Sequence, residues 1–165
     1  ADKDWSFTLS FPLYPEIKLG KYQDEIKAKV AKETPKDEDA KLKLVFDTLV
    51  DGSQCEIPQA LIDEEVNRSL GRLISQAEAL NLSIADYLKS INRTPEKLRE
   101  EYQKTAVTSL KLDFFLFAIA KQQDFKIEAG EVESLQRTSQ VKPEQKPYLE
   151  SILLKRKAVD YLLKL

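Results

Sequence analysis

Histidine and methionine are both absent from the 165 residues, and cysteine occurs once, at Cys55. Histidine is the commonest metal ligand and the side chain that titrates closest to neutral pH. Its absence excludes the Ser-His-Asp and Cys-His nucleophiles of many hydrolases. A single cysteine permits neither an internal disulfide nor a cysteine-rich zinc site. We therefore expect no catalytic residue, no metal site and no cofactor.

The remaining sequence gives little support to nucleotide binding or acid–base catalysis. None of the four glycines lies in a phosphate-binding pattern such as G-x-G-x-x-G or G-x-x-x-x-G-K. The acidic pairs Glu64–Glu65 and Glu100–Glu101 occupy adjacent helical positions, which point about 100° apart and form no dyad. Cys55 has no basic neighbour in sequence, so we interpret it as a small buried hydrophobe rather than a reactive thiol.

Charge and hydropathy exclude two further classes of partner. The 26 basic and 28 acidic side chains give a net charge of −2, so nothing drives direct binding to nucleic acid or to an anionic membrane. The longest apolar run, residues 110–120, contains Lys111 and Asp113 and is shorter than the roughly 20 residues of a membrane span. The basic run at residues 155–157 is typical of a solvated helix face, with a partner-binding patch as the alternative.

The N-terminal region shows the one clear strand pattern. Trp5, Phe7, Leu9 and Phe11 alternate with polar residues, which places all four on one face of a β-strand. No second convincing strand follows, so its partner is expected to be missing or intermolecular; alternatively, the segment lies extended against helices. The chain begins without methionine or a signal peptide, and we expect a fragment or a processed chain.

The rest of the chain is predicted to be helical. Apolar residues at steps of three and four predict a helix of about six turns within residues 55–81, starting at Pro58 and ending at Asn81. Residues 95–123 predict the longest helix, apolar on nearly all sides toward its end. Ser83 and Asp86 form a capping box that opens a short helix between these two.

Weaker helical signals flank these segments. Residues 18–33 predict only a marginal helix, because lysines leave little apolar surface to bury. Thr34 before Pro35 is interpreted as the N-cap of a firmer helix that closes at Gly52. Two further helices are predicted after residue 127. The fold class is therefore all-α: an elongated helical domain with long antiparallel arms, plus a short N-terminal strand or extended segment. Apolar stripes in excess of what one core needs indicate a binding function.

Four segments resemble the trigger factor family of bacterial ribosome-associated chaperones. The matching segments are IPQALIDEEVNRSLGRL (residues 57–73), LREEYQKTAVTSLKLDFFLFAIA (98–120), FKIEAGEVESL (125–135) and WSFTLSFPLYPEIKLG (5–20). The first three are similar to the C-terminal helical domain of the family, and the last is similar to the strand and linker that leave its ribosome-binding domain. The resemblance implies that residues 1–33 are the strand and linker, and that residues 34–165 are the helical chaperone domain.

The resemblance also implies a function. Members of the family are cytoplasmic, ATP-independent holdases whose helical arms hold nascent or unfolded polypeptides. Only about 20 residues separate Gly20 from the helix at Lys41, so the FKBP-like prolyl isomerase domain of most members is expected to be absent. The ribosome would be contacted through a domain missing from this sequence. We therefore predict that the chain is not an enzyme.

Apolar residues at the predicted tip between the two long helices are the first candidates for contact with polypeptide. These are Leu80, Leu82, Ile84, Tyr87, Leu88 and Ile91, with the linker residues Tyr14, Ile17 and Leu19 as weaker candidates. The alternative is that the short helix folds back and buries the tip residues. The alternative function is that of an assembly module that binds one specific folded partner or forms a homodimer. The strand at residues 5–11 could mediate such pairing through its unpaired backbone. A third hypothesis is that the chain is a relative of periplasmic chaperone-isomerases. The missing signal peptide and the missing isomerase domain both argue against this hypothesis.

Overall fold

The structure is a computed structural model that describes residues 14–139 and 145–165. Helices dominate this part of the chain, and the all-α class with a short extended element near the N-terminus is confirmed. The predicted strand at residues 5–11 lies outside the described residues. In chain order the elements are β1 Ile17–Lys18, α1 Tyr22–Glu33, α2 Glu38–Gly52, β2 Gln54–Cys55, α3 Gln59–Ala79, α4 Ile84–Ser90, α5 Pro95–Gln122, α6 Ala129–Ser139 and α7 Lys146–Leu162.

The chain divides into two compact units. Among the described residues, the first unit comprises residues 14–16 and Ile57–Ala106, and the second comprises Ile17–Glu56 and Val107–Leu165. The first unit therefore holds α3, α4 and the beginning of α5, whereas the second holds the remaining elements. The predicted boundary between a linker and a helical domain at residue 33 stays a prediction.

The core of the second unit is built from α1, α2, α5 and α7. The later turns of α5 are nearly continuously apolar, as predicted, and Phe115 and Ile119 are fully buried. Beyond these two, the buried cluster contains Tyr22, Ile26, Val45, Leu49, Leu116, Ala120, Ala158 and Leu162. Because four helices contribute to one cluster, burial of these apolar side chains stabilises the unit as a whole.

Helix α1 is more firmly placed than its sequence indicates. Tyr22 and Ile26 are fully buried and lie one helical turn apart, with Val30 packed against the same cluster. The predicted helix is present but begins at Tyr22 and not at residue 18, because Lys18 lies in β1; two large buried side chains anchor α1 although lysines cover its other faces. α1 also packs against α2.

The connection between α1 and α2 differs from the prediction. Thr34 is the left-handed C-terminal residue of α1, with φ of 41°, and its N–H donates to the carbonyl of Val30 at 3.0 Å. The N-cap of α2 is Asp37, whose Oδ1 accepts from the N–H of Ala40 at 2.7 Å. An aspartate caps a helix as well as a threonine does, so the cap shifts by three residues.

A short antiparallel pairing joins the segments before α1 and after α2. Ile17 pairs with Cys55 and Lys18 pairs with Gln54. The Ser53 hydroxyl also donates to the carbonyl of Leu19 at 3.1 Å. Two residues per strand are too few to leave an alternating pattern, which is why the sequence does not show this pairing.

Helices α6 and α7 form a smaller cluster within the second unit. Val132, Leu149 and Leu153 are buried together. Pro147 lies in the first turn of α7, where its missing N–H is tolerated because a first-turn N–H has no intrahelical acceptor. The end of α7 is fixed by Lys41, whose Nζ donates to the carbonyl of Leu163 at 2.6 Å.

The first unit draws its buried side chains from each of its helices. Helix α3 has the predicted start, with Pro58 as its N-cap. The buried apolar residues are Ile62, Val66, Ala77, Leu88, Leu98 and Ala106. In the described part of the chain, no helix combines the length and apolarity needed to cross a bilayer.

Candidate functional site

The end of α3 has the turn geometry that its sequence predicts. Asn81 adopts a left-handed conformation with φ of 56°. The N–H of Leu82 donates to the carbonyl of Ala77 and the N–H of Asn81 donates to the carbonyl of Glu78, each at 2.9 Å. This pair of bonds is a Schellman motif, which satisfies the last carbonyls of the helix. The chain therefore reverses at a defined position between α3 and α4.

Helix α4 opens at the predicted N-cap, Ser83, which also contacts the side chain of Asp86. The N–H of Asp86 donates to Ser83 Oγ at 3.1 Å, and that hydroxyl donates to Asp86 Oδ2 at 2.6 Å. A side-chain cap of this kind contributes about 1 kcal/mol to the stability of a helix. Because α4 is only seven residues long, this contribution is large relative to its intrinsic stability.

The end of α4 repeats the geometry found at the end of α3. Asn92 is left-handed with φ of 52°, and the N–H of Arg93 donates to the carbonyl of Leu88 at 3.0 Å. Thr94 then caps α5, where its Oγ1 accepts from the N–H of Lys97 at 3.3 Å. Local hydrogen bonds therefore define both turns that flank α4.

Four of the predicted contact residues are exposed around these turns. The exposed fractions are 71% for Leu80, 43% for Leu82, 36% for Ile84 and 39% for Ile91. We call these four residues the tip surface. These four side chains lie within residues 80–91, and contiguous exposed apolar surface is typical of a surface that binds other molecules.

The remaining candidates lie in other environments. Within α4, Tyr87 is half-buried and Leu88 is buried. In the linker, Tyr14 is exposed, whereas Ile17 and Leu19 are half-buried and pack against the core of the second unit. Contact between these residues and a client polypeptide stays a prediction, and only Tyr14 among these three linker residues presents most of its side chain to solvent.

Ile74 is an exposed apolar residue whose exposure the sequence does not reveal. It is 41% exposed on α3, whereas its neighbour Leu73 is half-buried. Adjacent helical residues point about 100° apart, so the two side chains need not be equally buried. The apolar pattern of the sequence does not say which of them is exposed.

Acidic side chains on α3 are engaged in ion pairs. Arg68 contacts Glu64 at 2.9 Å and Glu65 at 3.3 Å, and Arg72 contacts Glu65 at 3.3 Å. These pairs lie at helical spacings of three, four and seven, which place them on one solvated face. They are structural contacts along one helix.

Cys55 is in the environment of a structural thiol. It is half-buried, and this burial raises the pKa of the Cys55 thiol, with Lys111 opposing part of the rise. A raised pKa leaves little thiolate at neutral pH, so the group is a poor nucleophile. Among the described residues, no cluster of three or more His, Cys, Asp or Glu side chains could hold a metal ion.

The basic run at residues 155–157 takes part in packing within the second unit. Lys155 contacts Asp113 at 2.6 Å, and Lys157 contacts Glu131 at 2.8 Å. Arg156 between them is exposed. Two of the three charges are therefore paired within the chain.

Comparisons with known proteins point to one family. Residues 18–164 match the family described as bacterial trigger factor protein C-terminus. The trigger factor of Halothermothrix orenii is 26% identical over 161 residues, which cover 87% of this chain and 37% of that protein. That of Fusobacterium nucleatum is 28% identical over 123 residues, covering 72% and 28% respectively. That of Streptococcus gordonii is 27% identical over 117 residues, covering 67% and 27%.

The matched regions cover most of this chain but only part of each relative. The chain spans little more than a third of the length of the Halothermothrix protein and less of the other two. No solved structure matches the chain. The family match nevertheless covers most of the sequence, including every helix described above. The chain therefore belongs to the bacterial trigger factor family, and it corresponds to the C-terminal region of that family.

Proposed function

We propose that the chain is an ATP-independent chaperone module, a holdase, that binds nascent or unfolded polypeptides through the tip surface. Membership of the trigger factor family supports a role in chaperoning. The observation that carries the proposal is the exposure of Leu80, Leu82, Ile84 and Ile91 around two turns that are closed by backbone hydrogen bonds. Unfolded chains expose apolar side chains that folded proteins bury, so an apolar surface discriminates between the two.

The expected affinity of the tip surface is low. Complete burial of a leucine or isoleucine side chain contributes about 1.5–3 kcal/mol, and these side chains start partly buried, so each contributes about 1 kcal/mol. The gross gain is then about 4 kcal/mol, a value that corresponds to a dissociation constant in the millimolar range. Association costs lower it further, so several contacts along one client would be needed. Weak contacts of this kind permit release without ATP.

The surface suits diffuse recognition rather than one fixed partner. Its side chains are aliphatic, and none of the four offers a hydrogen-bond donor or acceptor that would select a particular sequence. Specific interfaces use positioned polar groups and buried aromatic anchors. A client with exposed leucine, isoleucine or phenylalanine would therefore bind irrespective of its order of residues.

We further propose that these 165 residues have no prolyl isomerase activity. The family match runs over residues 18–164, and the segment 21–37 between Gly20 and α2 holds only α1, which is too short for a domain of roughly a hundred residues. An assay of cis–trans isomerisation on a proline-containing peptide tests this statement. A rate above that of the uncatalysed reaction would contradict it.

Ribosome attachment through a domain outside this sequence and a cytoplasmic location are also proposals, and they rest on membership of the family alone. A homodimer formed through residues 5–11 stays a prediction, since that segment lies outside the described residues. Light scattering of the chain with and without residues 1–11 would test it, and an unchanged mass would reject it.

The experiment that tests the holdase proposal is suppression of aggregation. A chemically unfolded enzyme is diluted with the chain, with an inert protein of similar size, or with a variant that combines Leu80→Ser, Leu82→Ser, Ile84→Ser and Ile91→Ser. We expect the chain to suppress light scattering and the variant to lose most of this effect while keeping its helical circular dichroism. If the chain performs no better than the inert protein, the proposal fails.

Tyr148→Ser provides the matched control. Tyr148 is an exposed apolar side chain, with an exposed fraction of 61%, on α7 in the second unit. Like the tip residues it is a large exposed side chain with apolar surface, although it also carries a hydroxyl, and it lies on a different unit. We expect Tyr148→Ser to suppress aggregation as well as the unmodified chain does. An equal loss in both variants would show that apolar exposure anywhere is sufficient and would reject the tip surface as the site.

A further inference from the structure

The first unit has a small apolar core for the length of its helices. About 50 residues, Ile57–Ala106, form this unit together with residues 14–16. These 50 include no phenylalanine or tryptophan, and both tyrosines, Tyr87 and Tyr102, are only half-buried. The buried apolar side chains of its helices are those of Ile62, Val66, Ala77, Leu88, Leu98 and Ala106. A unit of this size buries little apolar surface by itself, so apolar side chains from another segment would add a large share of its stability.

The long helices of the unit offer unequal amounts of apolar surface. Between Pro95 and Ala106, α5 has one narrow line of residues that are not exposed, and every other position there is exposed; the line consists of Leu98, Tyr102 and Ala106. On α3, residues at steps of three and four form a longer line, which we call the α3 stripe; it consists of Ile62, Val66, Leu70, Leu73 and Ala77. Leu70 and Leu73 are only half-buried. The α3 stripe therefore has apolar surface left to cover.

The N-terminal segment is attached at the beginning of this stripe. Residues 1–13 lie outside the described residues, but residues 14–16 belong to the first unit and Pro15 is buried. Ile17 pairs antiparallel with Cys55, so the chain upstream of Ile17 follows the same direction as the chain that leads from Cys55 into α3. The segment is thus tethered within the first unit, close to the start of α3.

The apolar face of residues 5–11 has the dimensions of the α3 stripe. In an extended chain its side chains recur about every 6.6 Å, and helical residues four apart recur about every 6 Å. An extended chain from Tyr14 to Trp5 spans about 30 Å, which is close to the length of the 21 residues of α3. The four apolar side chains, three of them aromatic, are those of Trp5, Phe7, Leu9 and Phe11. They would fall opposite successive turns of α3.

We propose that residues 5–11 bind in extended form along the α3 stripe of their own chain and complete the core of the first unit. The alternating pattern fits this role, because the apolar face packs on the helix while Ser6, Thr8 and Ser10 keep the other face in water. The first unit is thereby a receptor for one extended amphipathic segment. The inference does not rest on the holdase proposal, because the α3 stripe shares no residue with the tip surface.

Trp5 reports on this contact because it is the one tryptophan of the sequence. Its fluorescence in the full chain is compared with that of a free peptide of residues 1–13. We expect emission at shorter wavelength and several-fold weaker quenching by acrylamide in the full chain, since packing on a helix removes the indole ring from water. Equal emission and equal quenching in the chain and the peptide would overturn the proposal.

Photo-crosslinking locates the contact and identifies its source. A photoreactive amino acid replaces Phe7 on the apolar face or, as the matched control, Thr8 on the polar face. Each chain is irradiated in the presence of an isotope-labelled copy, and the products are mapped by mass spectrometry. We expect position 7 to crosslink to α3 of its own chain and position 8 to give few products. Crosslinks from position 7 to the second unit alone, or to the labelled copy alone, would overturn the assignment.

Hydrogen exchange tests whether the segment stabilises the unit. Burial of a phenylalanine side chain changes an equilibrium by at least about tenfold. We therefore expect Phe7→Ser to accelerate amide exchange of α3 by at least about tenfold, whereas Thr8→Ser leaves it unchanged. Helix α2 in the second unit is the internal reference, and its exchange should be unaffected in both variants. Equal exchange of α3 in the two variants would refute the contact, and equal acceleration of α2 and α3 by Phe7→Ser would contradict its location in the first unit.

Discussion

Replacing Gly20 by alanine should destabilise the second unit. Gly20 lies between β1 and α1 with φ of +62°, a conformation that side chains with a Cβ rarely adopt. A Cβ at this position would lie 2.7 Å from the carbonyl oxygen of Gly52 at the end of α2. That oxygen cannot move freely, because Cys55 pairs with Ile17 and the Ser53 hydroxyl donates to Leu19 on the same two segments.

Two terms set the magnitude of this effect. A left-handed conformation costs a residue with a Cβ roughly 1–2 kcal/mol relative to glycine. Forcing a methyl group into a contact that is too close costs about 1–3 kcal/mol more, because the backbone of α2 must shift. We therefore expect Gly20→Ala to lower the free energy of unfolding by about 3 kcal/mol, a large share of the 5–15 kcal/mol typical of folded proteins.

The assay is urea denaturation followed by circular dichroism, with amide hydrogen exchange of α1 and α2 to isolate the second unit. Gly71→Ala is the matched control, because Gly71 is an exposed residue within α3 and a Cβ there would meet nothing within 4 Å. We expect the control to raise the free energy of unfolding by up to about 1 kcal/mol through helix propensity. If Gly20→Ala unfolds at the same urea concentration as the unmodified chain, the close approach of the two segments is refuted.

Three further predictions concern the core, the tip and the response to acid. Phe115→Ala should lower the free energy of unfolding by about 3–5 kcal/mol, measured by urea denaturation, because this side chain is fully buried in a cluster of four helices. At the end of α3, Asn81→Gly should be neutral within a few tenths of a kcal/mol while Asn81→Val costs about 1–2 kcal/mol, because φ is positive there; equal stabilities of the two variants would contradict this geometry. Lys157 Nζ and the N–H of Glu128 both donate to Glu131 and hold the pKa of its carboxyl below the usual range. The stabilisation of the fold by these two contacts is therefore present above the ordinary glutamate pKa and is lost as the pH falls through the lowered value. Acid titration of the unfolding midpoint should accordingly show a smaller loss for Glu131→Gln than for the unmodified chain, and identical acid profiles would refute the contact.

Local signals in the sequence predict the tip well. Asn81, Ser83 and Asp86 act through hydrogen bonds to residues within five positions, so the chain itself contains all the partners. For the same reason Pro58 marks the start of α3 correctly. Residue types whose effects are confined to neighbouring positions are the ones that sequence reasoning interprets correctly.

Features that depend on distant partners were not predictable in the same way. α1 looks weak in isolation, yet Tyr22 and Ile26 are buried by helices that follow in the chain. The pairing of Ile17 with Cys55 joins segments 38 positions apart through strands too short to show a period. Leu88 is buried and Ile84 is exposed within one short helix, a distinction that composition cannot make.

Site-specific photo-crosslinking shows whether the tip surface is the part of the chain that contacts unfolded polypeptide. A photoreactive amino acid is placed at Leu82, at Tyr148 or at exposed Gly71 in three otherwise identical chains, and each is irradiated with a chemically unfolded client. We expect crosslinks to the client from position 82 that disappear when the client is folded, with few from positions 71 and 148. Crosslinks of equal yield from all three positions, or none from position 82, would contradict it.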